Sequence, residues 1–238
     1  MSGHSKWSQI KHKKAITDSK KSQVFSKLSK IISVTAKDGS NPDFNFKLKA
    51  AIEKAKAVNM PNDNIERAIK KASDKDSIQL ETLVLEALGP ENVSILIEVI
   101  TDNKNRTLGE IKNLLQKNNA KIVPGGSIAW QFDKKGVIKI IKQEMKSNFE
   151  DLELKLIEAG ADNILEQDEF IIVSTGPESL MNMKNKIIEL KEEIESAELE
   201  YVAKTSVGSI SEQAAQQIDS LFEALDDHDD VQAIYSNL

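Results

Sequence analysis

The pattern of apolar and polar positions changes once along this chain of 238 residues, and the change predicts its fold class. From Val24 to Ile69, apolar residues recur at helical spacing, and this spacing predicts helices. Beyond residue 78, short runs rich in β-branched residues alternate with amphipathic stretches, which predicts strands mixed with helices. The predicted fold class is therefore α+β, with an all-helical first part and two small α/β parts behind it.

The front part predicts three helices, separated by residues that end or begin a helix. The first helix ends near Gly39, which suits a left-handed C-cap. The second is predicted over residues 43–58, and the third begins at Asn62 or Asp63, both good N-caps. Residues 73–77 are polar and without period, and we interpret them as a linker.

The elements predicted behind the linker fall into two sets. Residues 83–88 and 93–100 are apolar runs separated by a Gly-Pro-Glu-Asn turn, and they predict a hairpin. The other predicted elements are a helix over 108–115, strands over 127–132, 137–141, 170–174, 197–204 and 231–235, and helices over 149–159, 177–190 and 214–225.

The middle sheet has too few helices of its own to cover one of its faces. Because a layered α+β domain needs that face covered, we expect the tail helix and strand to return to it. The predicted domains are therefore a basic helical domain at 1–76, a discontinuous α/β domain at 78–133 plus 205–238, and an inserted α/β domain at 134–204.

Charge divides the chain in the same place as the pattern does. Residues 1–76 hold 17 Lys and Arg against 8 Asp and Glu, a net of +9, whereas the remainder holds 15 against 30. A basic front on an acidic protein favours a nucleic-acid partner for the front. The alternative is that lysine-rich helices are merely well solvated.

The first thirty residues concentrate the candidate binding chemistry, with eight lysines against the single acid Asp18. Trp7 is predicted to stack on a base, the alternative being that it packs onto the helices behind it. The flanking histidines suit RNA or DNA better than a metal, since no Cys or acid accompanies them. The predicted nucleic-acid-binding residues are His4, Lys6, Trp7, Lys11, His12, Lys13, Lys14, Lys20, Lys27, Lys30, Arg67 and Arg106, of which Lys20, Lys27 and Lys30 are expected on the exposed face of the first helix.

The sequence contains few residues or motifs that suit catalysis, cofactor binding or metal binding. There is no Cys, and no nucleotide-binding, nucleophile-elbow or zinc-protease motif occurs, so the predictions are no enzyme, no cofactor and no metal. The acidic run 226–230 is expected to be a solvated loop rather than a cation site. No apolar run approaches the length of a membrane span, so we expect a cytoplasmic monomer that contacts no membrane.

Several longer motifs resemble one known family in order along the whole chain. They are Gly3-His4-Ser5-Lys6-Trp7, Ile10-Lys11-His12-Lys13-Lys14, Asn59-Met60-Pro61 with Asp63-Asn64-Ile65-Glu66-Arg67-Ala68-Ile69, Thr101-Asp102-Asn103-Lys104-Asn105-Arg106-Thr107, Gly126-Ser127 with Trp130, and the closing Leu225 with Asp229-Asp230-Val231-Gln232 and Tyr235-Ser236-Asn237. With these motifs the chain resembles the YebC family. The sequence departs from the family at residues 117–124, where a Gly-rich loop is expected.

The resemblance implies both a fold and a function. The implied fold has three domains around a wide groove, with the third domain inserted in the second. The implied function is that of DNA-binding transcriptional regulators. Its alternative is a translation factor on the ribosome and its rRNA, notably at proline-rich nascent chains, or an organellar activator of cytochrome oxidase translation. A protein-interaction scaffold is the remaining class.

The two interpretations of Trp7 predict different behaviour of the variant Trp7→Ala. If Trp7 stacks on a base, binding weakens by about 1 to 3 kcal/mol with little change in its salt dependence. If Trp7 packs in a core, the melting temperature falls instead, with a cost of about 3 to 5 kcal/mol. Melting curves and salt titrations of the same variant distinguish them, and we expect the stacking result. A variant that melts and binds normally would contradict both.

Overall fold

A computed structural model describes residues 18–73, 79–167 and 169–238 of the chain. Its fold class is α+β, as the sequence predicts: a helical region comes first and two antiparallel sheets with helices follow. None of the helices within the described ranges is long and apolar enough to cross a membrane.

The helical region consists of α1 (Asp18–Thr35), α2 (Phe46–Ala57) and α3 (Asn62–Ser73). Gly39 ends the turn after α1 with a φ of 145°, a backbone conformation that side chains other than hydrogen disfavour. Small residues let the three helices approach closely. These small residues and larger apolar side chains together form one core. The buried members of that core are Leu28, Ile32, Ala36, Leu48, Ala51, Ala55, Met60, Ile65 and Ala68.

The first sheet contains the hairpin that the sequence predicts. Its strands are β1 (Glu81–Leu88), β2 (Ser94–Thr101), β3 (Lys121–Val123) and β8 (Val231–Ser236), in the order β3-β1-β2-β8. All neighbours are antiparallel, and β8 pairs along β2. The expected return of the tail to the middle sheet is therefore confirmed.

Two helices cover this sheet, α4 (Lys104–Lys117) and α7 (Glu212–Asp226). Each presents an apolar face at helical spacing, and the two faces meet the inner sides of β1, β2 and β8 in one core. Phe222 of α7 is 1% exposed and is among the largest fully buried side chains of the described residues.

The second sheet lies between the two segments of the first domain in the sequence. Its elements are β4 (Phe132–Ile141), α5 (Phe149–Glu158), β5 (Asn163–Glu166), β6 (Phe170–Thr175), α6 (Leu180–Glu189) and β7 (Ile194–Ala203). The strand order is β5-β6-β4-β7 and all pairs are antiparallel. The chain order β-α-β-β-α-β is that of ferredoxin-like folds.

The described chain separates into two compact units. One contains the residues up to Ala129 together with Ser206–Leu238, and the other contains Trp130–Thr205. The segment that forms the second sheet is thus inserted in the sequence between the two segments of the first unit. The division into three domains at the boundaries given above stays a prediction.

The predicted strand over 127–132 is wrong. The chain forms a short 3-10 turn at Ala129–Gln131, and Trp130 is 67% exposed instead of sharing a strand face with Ile128. The cause is Glu86, whose carboxylate accepts hydrogen bonds from the backbone N–H groups of Gly126, Ile128 and Ala129. A carboxylate that gathers three N–H groups holds them in a turn and keeps them from a strand ladder.

The ionisation of Glu86 supports this arrangement. Burial alone would raise the pKa of the Glu86 carboxyl, but the backbone hydrogen bonds from Ile128, Gly126 and Ala129 outweigh it and lower that pKa. Glu86 is therefore charged at neutral pH although it is buried.

The buried tail helix predicts a test of the fold. Phe222→Ala should lower the free energy of unfolding by about 3 to 5 kcal/mol, because it removes a fully buried ring from the core between α7 and the sheet. Urea denaturation measures this loss. Phe44→Ala is the matched control, because Phe44 is 91% exposed and its removal should cost less than about 0.5 kcal/mol. Equal losses in the two variants would contradict the packing described here.

Candidate nucleic-acid interface

The larger unit contains a cleft of about 940 Å³, lined by residues from its helical region and from the end of its sheet. The cleft brings together three of the residues that the sequence predicts for binding, Lys30, Arg67 and Arg106. They come from α1, α3 and α4, and only the tertiary fold places them on one surface.

One wall of the cleft is formed by α1 and α3 and is basic and hydroxyl-rich. Since α1 buries the face with Leu28 and Ile32, its opposite serines turn towards the cleft. The serines along this wall are Ser22, Ser26, Ser29 and Ser33. The hydroxyl of Ser33 donates to the carbonyl of Ala68 at 2.9 Å and joins α1 to α3.

Arg67 on α3 is an exposed cation of this wall. Its Nε donates to the carbonyl of Asp63 at 3.1 Å, and its Nη2 contacts the side-chain oxygen of Asn64. Within the described ranges Arg67 pairs with no carboxylate, and its side chain is exposed. A guanidinium in this state can bind a phosphate group through two N–H groups at once.

The opposite side of the cleft is acidic and consists of the loop after α7 and the start of α4. Asp230 is the central residue of this side and is only 3% exposed. Its Oδ1 accepts from the Nζ of Lys30 at 2.5 Å. Its Oδ2 accepts from Arg106 Nη2 at 3.0 Å and from the hydroxyl of Thr107 at 2.5 Å.

These contacts determine the ionisation of Asp230. Burial alone would raise the pKa of its carboxyl, but the hydrogen bonds from Lys30, Thr107 and Arg106 outweigh burial and hold that pKa far below its usual range. Asp230 is thus a buried carboxylate that stays charged because two cations and a hydroxyl satisfy it.

The lysines of α1 contact the same acidic loop. Lys27 Nζ donates to the carbonyl of Asp226 at 2.5 Å and lies 3.6 Å from its carboxylate. Lys20 lies 3.9 Å from the carboxylate of Asp227. The structure thus places Lys20, Lys27 and Lys30 against carboxylates of their own chain.

Two expectations about these residues are wrong. Lys27 is 9% exposed, so it is buried instead of lying on the exposed face of α1. Asp230 in the loop at 226–230 is not solvated. Both errors have one physical reason: the lysines of α1 and the acids of the loop are about 200 residues apart in sequence and compensate each other's charge in the fold.

Arg106 both faces the cleft and forms ion pairs with acids of its own chain. It lines the cleft, and it pairs with Asp102 at 2.8 Å as well as with Asp230, while Glu110 lies 4.0 Å away. The N-cap of α4 is Asn103, whose side chain accepts from the N–H of Arg106 at 3.1 Å.

The remaining predicted residues, His4, Lys6, Trp7, Lys11, His12, Lys13 and Lys14, lie outside the described residues. Their role stays a prediction from the sequence.

Glu110, His228 and Asp230 come close enough together to suggest a metal centre. One ligand atom from each lies within 4.8 Å of the others. However, His228 Nε2 is 3.0 Å from Glu110, and its Nδ1 accepts from the N–H of Asp230. Both oxygens of Asp230 already accept from cations. Since these lone pairs are engaged, the cluster is a hydrogen-bonded junction and makes a poor cation site.

Comparison with known proteins covers almost the whole chain. Residues 5–75 match the family model described as "TACO1/YebC protein N-terminal domain". Residues 80–238 match the one described as "TACO1/YebC second and third domain".

Curated relatives and one solved structure agree with these matches. A "Probable transcriptional regulatory protein" of Syntrophomonas wolfei is 42% identical over all of this chain and 96% of its own length. One of Persephonella marina, with the same description, is 42% identical over all of this chain and 95% of its own. The crystal structure of a conserved hypothetical protein from Aquifex aeolicus superposes with a TM-score of 0.89 at 37% identity, covering 98% of this chain and 96% of that one.

The buried carboxylate predicts a specific dependence of stability on pH. Asp230→Asn should lower the free energy of unfolding at neutral pH by about 2 to 3 kcal/mol, because Lys30 and Arg106 lose their charged acceptor. The folded-state pKa of Asp230 is lowered, so its contribution is present above the unfolded pKa of about 3.9 and disappears as the pH falls below that value. The difference between variant and parent should therefore shrink below about pH 4.

Urea denaturation at a series of pH values measures this difference. Asp229→Asn is the matched control, because the Asp229 side chain is exposed in the same loop and should matter by less than about 0.5 kcal/mol. A difference for Asp230→Asn that stays constant from neutral to acid pH would contradict the ionic role.

Proposed function

This chain belongs to the TACO1/YebC family, and from this membership we propose that it is a non-enzymatic regulator of gene expression that acts by binding nucleic acid. The names of its relatives support a regulatory role, since they are called probable transcriptional regulatory proteins. The contact with nucleic acid rests on the charge of the helical region. Because the proposed partner is nucleic acid, the proposal places the protein in the cytoplasm.

The observation that carries the proposal is the excess of exposed cations on the three helices. Residues 18–73 hold 12 Lys and Arg against 6 Asp and Glu. Nine of those cations are exposed, and they are Lys21, Lys37, Lys47, Lys49, Lys54, Lys56, Arg67, Lys70 and Lys71. A dense set of exposed cations on a small helical region is the electrostatic surface that binds a phosphate backbone.

The contacts with the acidic loop at 226–230 indicate which cations we assign to phosphate binding. Lys27 and Lys30 form largely buried ion pairs with Asp226 and Asp230, so they contribute to folding first, whereas Lys20 lies in an exposed and weaker pair with Asp227. The cations of α2 and α3 are exposed to solvent, and Arg67 among them lines the cleft. We therefore assign phosphate binding to α2 and α3 in addition to the predicted first residues of the chain.

Two targets present the same phosphates. One is duplex DNA, in keeping with the relatives' names, and the other is ribosomal RNA, which would make the protein a translation factor. Sedimentation of cell extract separates them, because the protein then migrates either with chromosomal DNA or with ribosomes.

The proposal predicts how one substitution changes the salt dependence of binding. Arg67→Ala should weaken binding to all sequences alike and reduce the slope of log K against log salt by about one unit, because one phosphate contact and its counterion are lost. Fluorescence anisotropy of a labelled oligonucleotide across a salt series measures the slope. Lys155→Ala is the matched control, an exposed cation on α5 of the other unit, and it should leave the slope unchanged. The proposal fails if Arg67→Ala binds with the parent slope.

A further inference from the structure

The segment between α1 and α2 exposes two aromatic side chains. Phe44 is 91% exposed and Phe46, the first residue of α2, is 45% exposed. Phe44 therefore contributes little to the protein's own core, and Phe46 is only partly buried. They form an apolar surface on the region of the chain that is richest in exposed cations.

Asn45, the residue between Phe44 and Phe46, holds the backbone in the conformation that exposes both rings. Asn45 is 8% exposed, and its amide donates to the carbonyls of Thr35 and Gly39 at 2.7 Å each. Its side-chain oxygen accepts from the N–H of Leu48 at 3.0 Å and caps α2. Because Asn45 is anchored inwards, its two neighbours are directed outwards.

A second asparagine fixes the turn before these rings. The carbonyl of Asn41 accepts from the N–H groups of Phe44 at 3.2 Å and Asn45 at 3.0 Å. Its side chain accepts from the N–H of Asp43 at 2.9 Å. The ring of Phe44 is therefore presented from a hydrogen-bonded turn, and a ligand would meet a backbone that is already ordered.

The charges beside the rings indicate what they would contact. Lys47 and Lys49 follow Phe46 directly on α2 and are both exposed. Lys47 has Asp38 at 4.0 Å, but both side chains are about 70% exposed, and such a surface pair is weak. Aromatic rings beside available lysines match single-stranded nucleic acid, whose bases stack on rings while its phosphates contact cations.

We propose that Phe44 and Phe46 form a stacking site for unpaired bases of a single-stranded nucleic acid, with Lys47 and Lys49 on the adjoining phosphates. This site rests on the proposed function and adds to it the class of nucleic acid that is bound. The bases of a duplex are hidden in the stack and reach such a ring only after extrusion, which breaks base pairing and stacking. The site therefore distinguishes unpaired from paired segments.

The test measures binding of the full chain to one unstructured oligonucleotide sequence, made as RNA, as DNA and as a DNA duplex. Phe44→Ala should weaken single-strand binding by about 5- to 150-fold and leave duplex affinity and the salt slope unchanged. Phe44→Trp should restore single-strand binding, whereas Phe44→Leu, which keeps apolar area but has no ring, should not. A loss in either the RNA or the DNA arm supports the proposal and identifies the source of the bases.

Controls keep this outcome separate from folding and from the proposed function. Leu154→Ala removes another exposed apolar side chain, 62% exposed on α5, and should change no affinity. Phe44→Ala should melt like the parent. If Phe44→Ala or Phe44→Leu binds single strands like the parent while Arg67→Ala still weakens binding, the stacking site is wrong and the proposed function stands. If the parent binds none of the three oligonucleotides, the proposed function itself fails.

Discussion

The carboxylate of Asp230 is the interaction on which the larger unit depends. This carboxylate accepts hydrogen bonds from Lys30 of α1 and from Arg106 and Thr107 of α4. The backbone carbonyl of Asp230 accepts a further hydrogen bond from the N–H of Ile100 on β2. A buried charge is costly unless it is fully paired, so removing one partner leaves the Asp230 carboxylate less fully compensated. One residue just before β8 thereby holds the helical region, α4 and the sheet together.

This junction explains why the basic front of the chain divides its cations between two tasks. Lys20, Lys27 and Lys30 compensate the acidic loop at 226–230 and hold α1 in place. In the proposed function, the exposed cations of α2 and α3 supply the positive field that attracts phosphate. Sequence counts put all of these lysines in one class, and only the fold separates them. The same acids keep the cleft bipolar, with its basic wall on α1 and α3.

Local pattern predicts most elements of this protein, and contacts between distant residues account for the errors. The hairpin, α4, α7 and the return of β8 follow from apolar period and from the need to cover a sheet face. The short strands β3 and β5 escape prediction, since three or four residues carry too little period. The segment around Trp130 alternates like a strand, but it is folded into a turn by Glu86, some forty residues earlier. The burial of Lys27 likewise depends on Asp226, which no local pattern reveals. Lys30, Arg67 and Arg106, which the sequence predicts as binding residues, line one cleft because the tertiary fold brings α1, α3 and α4 together, and no spacing within a single helix reveals this.

Ultraviolet cross-linking of the full chain tests whether the helical region makes the contact with nucleic acid. Nucleic acid that co-purifies with the protein is cross-linked, and mass spectrometry identifies the modified peptides. Cross-links should be concentrated in peptides from residues 18–73 and from the segment before them, with few in 79–238. Cross-links confined to the two sheets, or none on the helical region, would contradict this expectation.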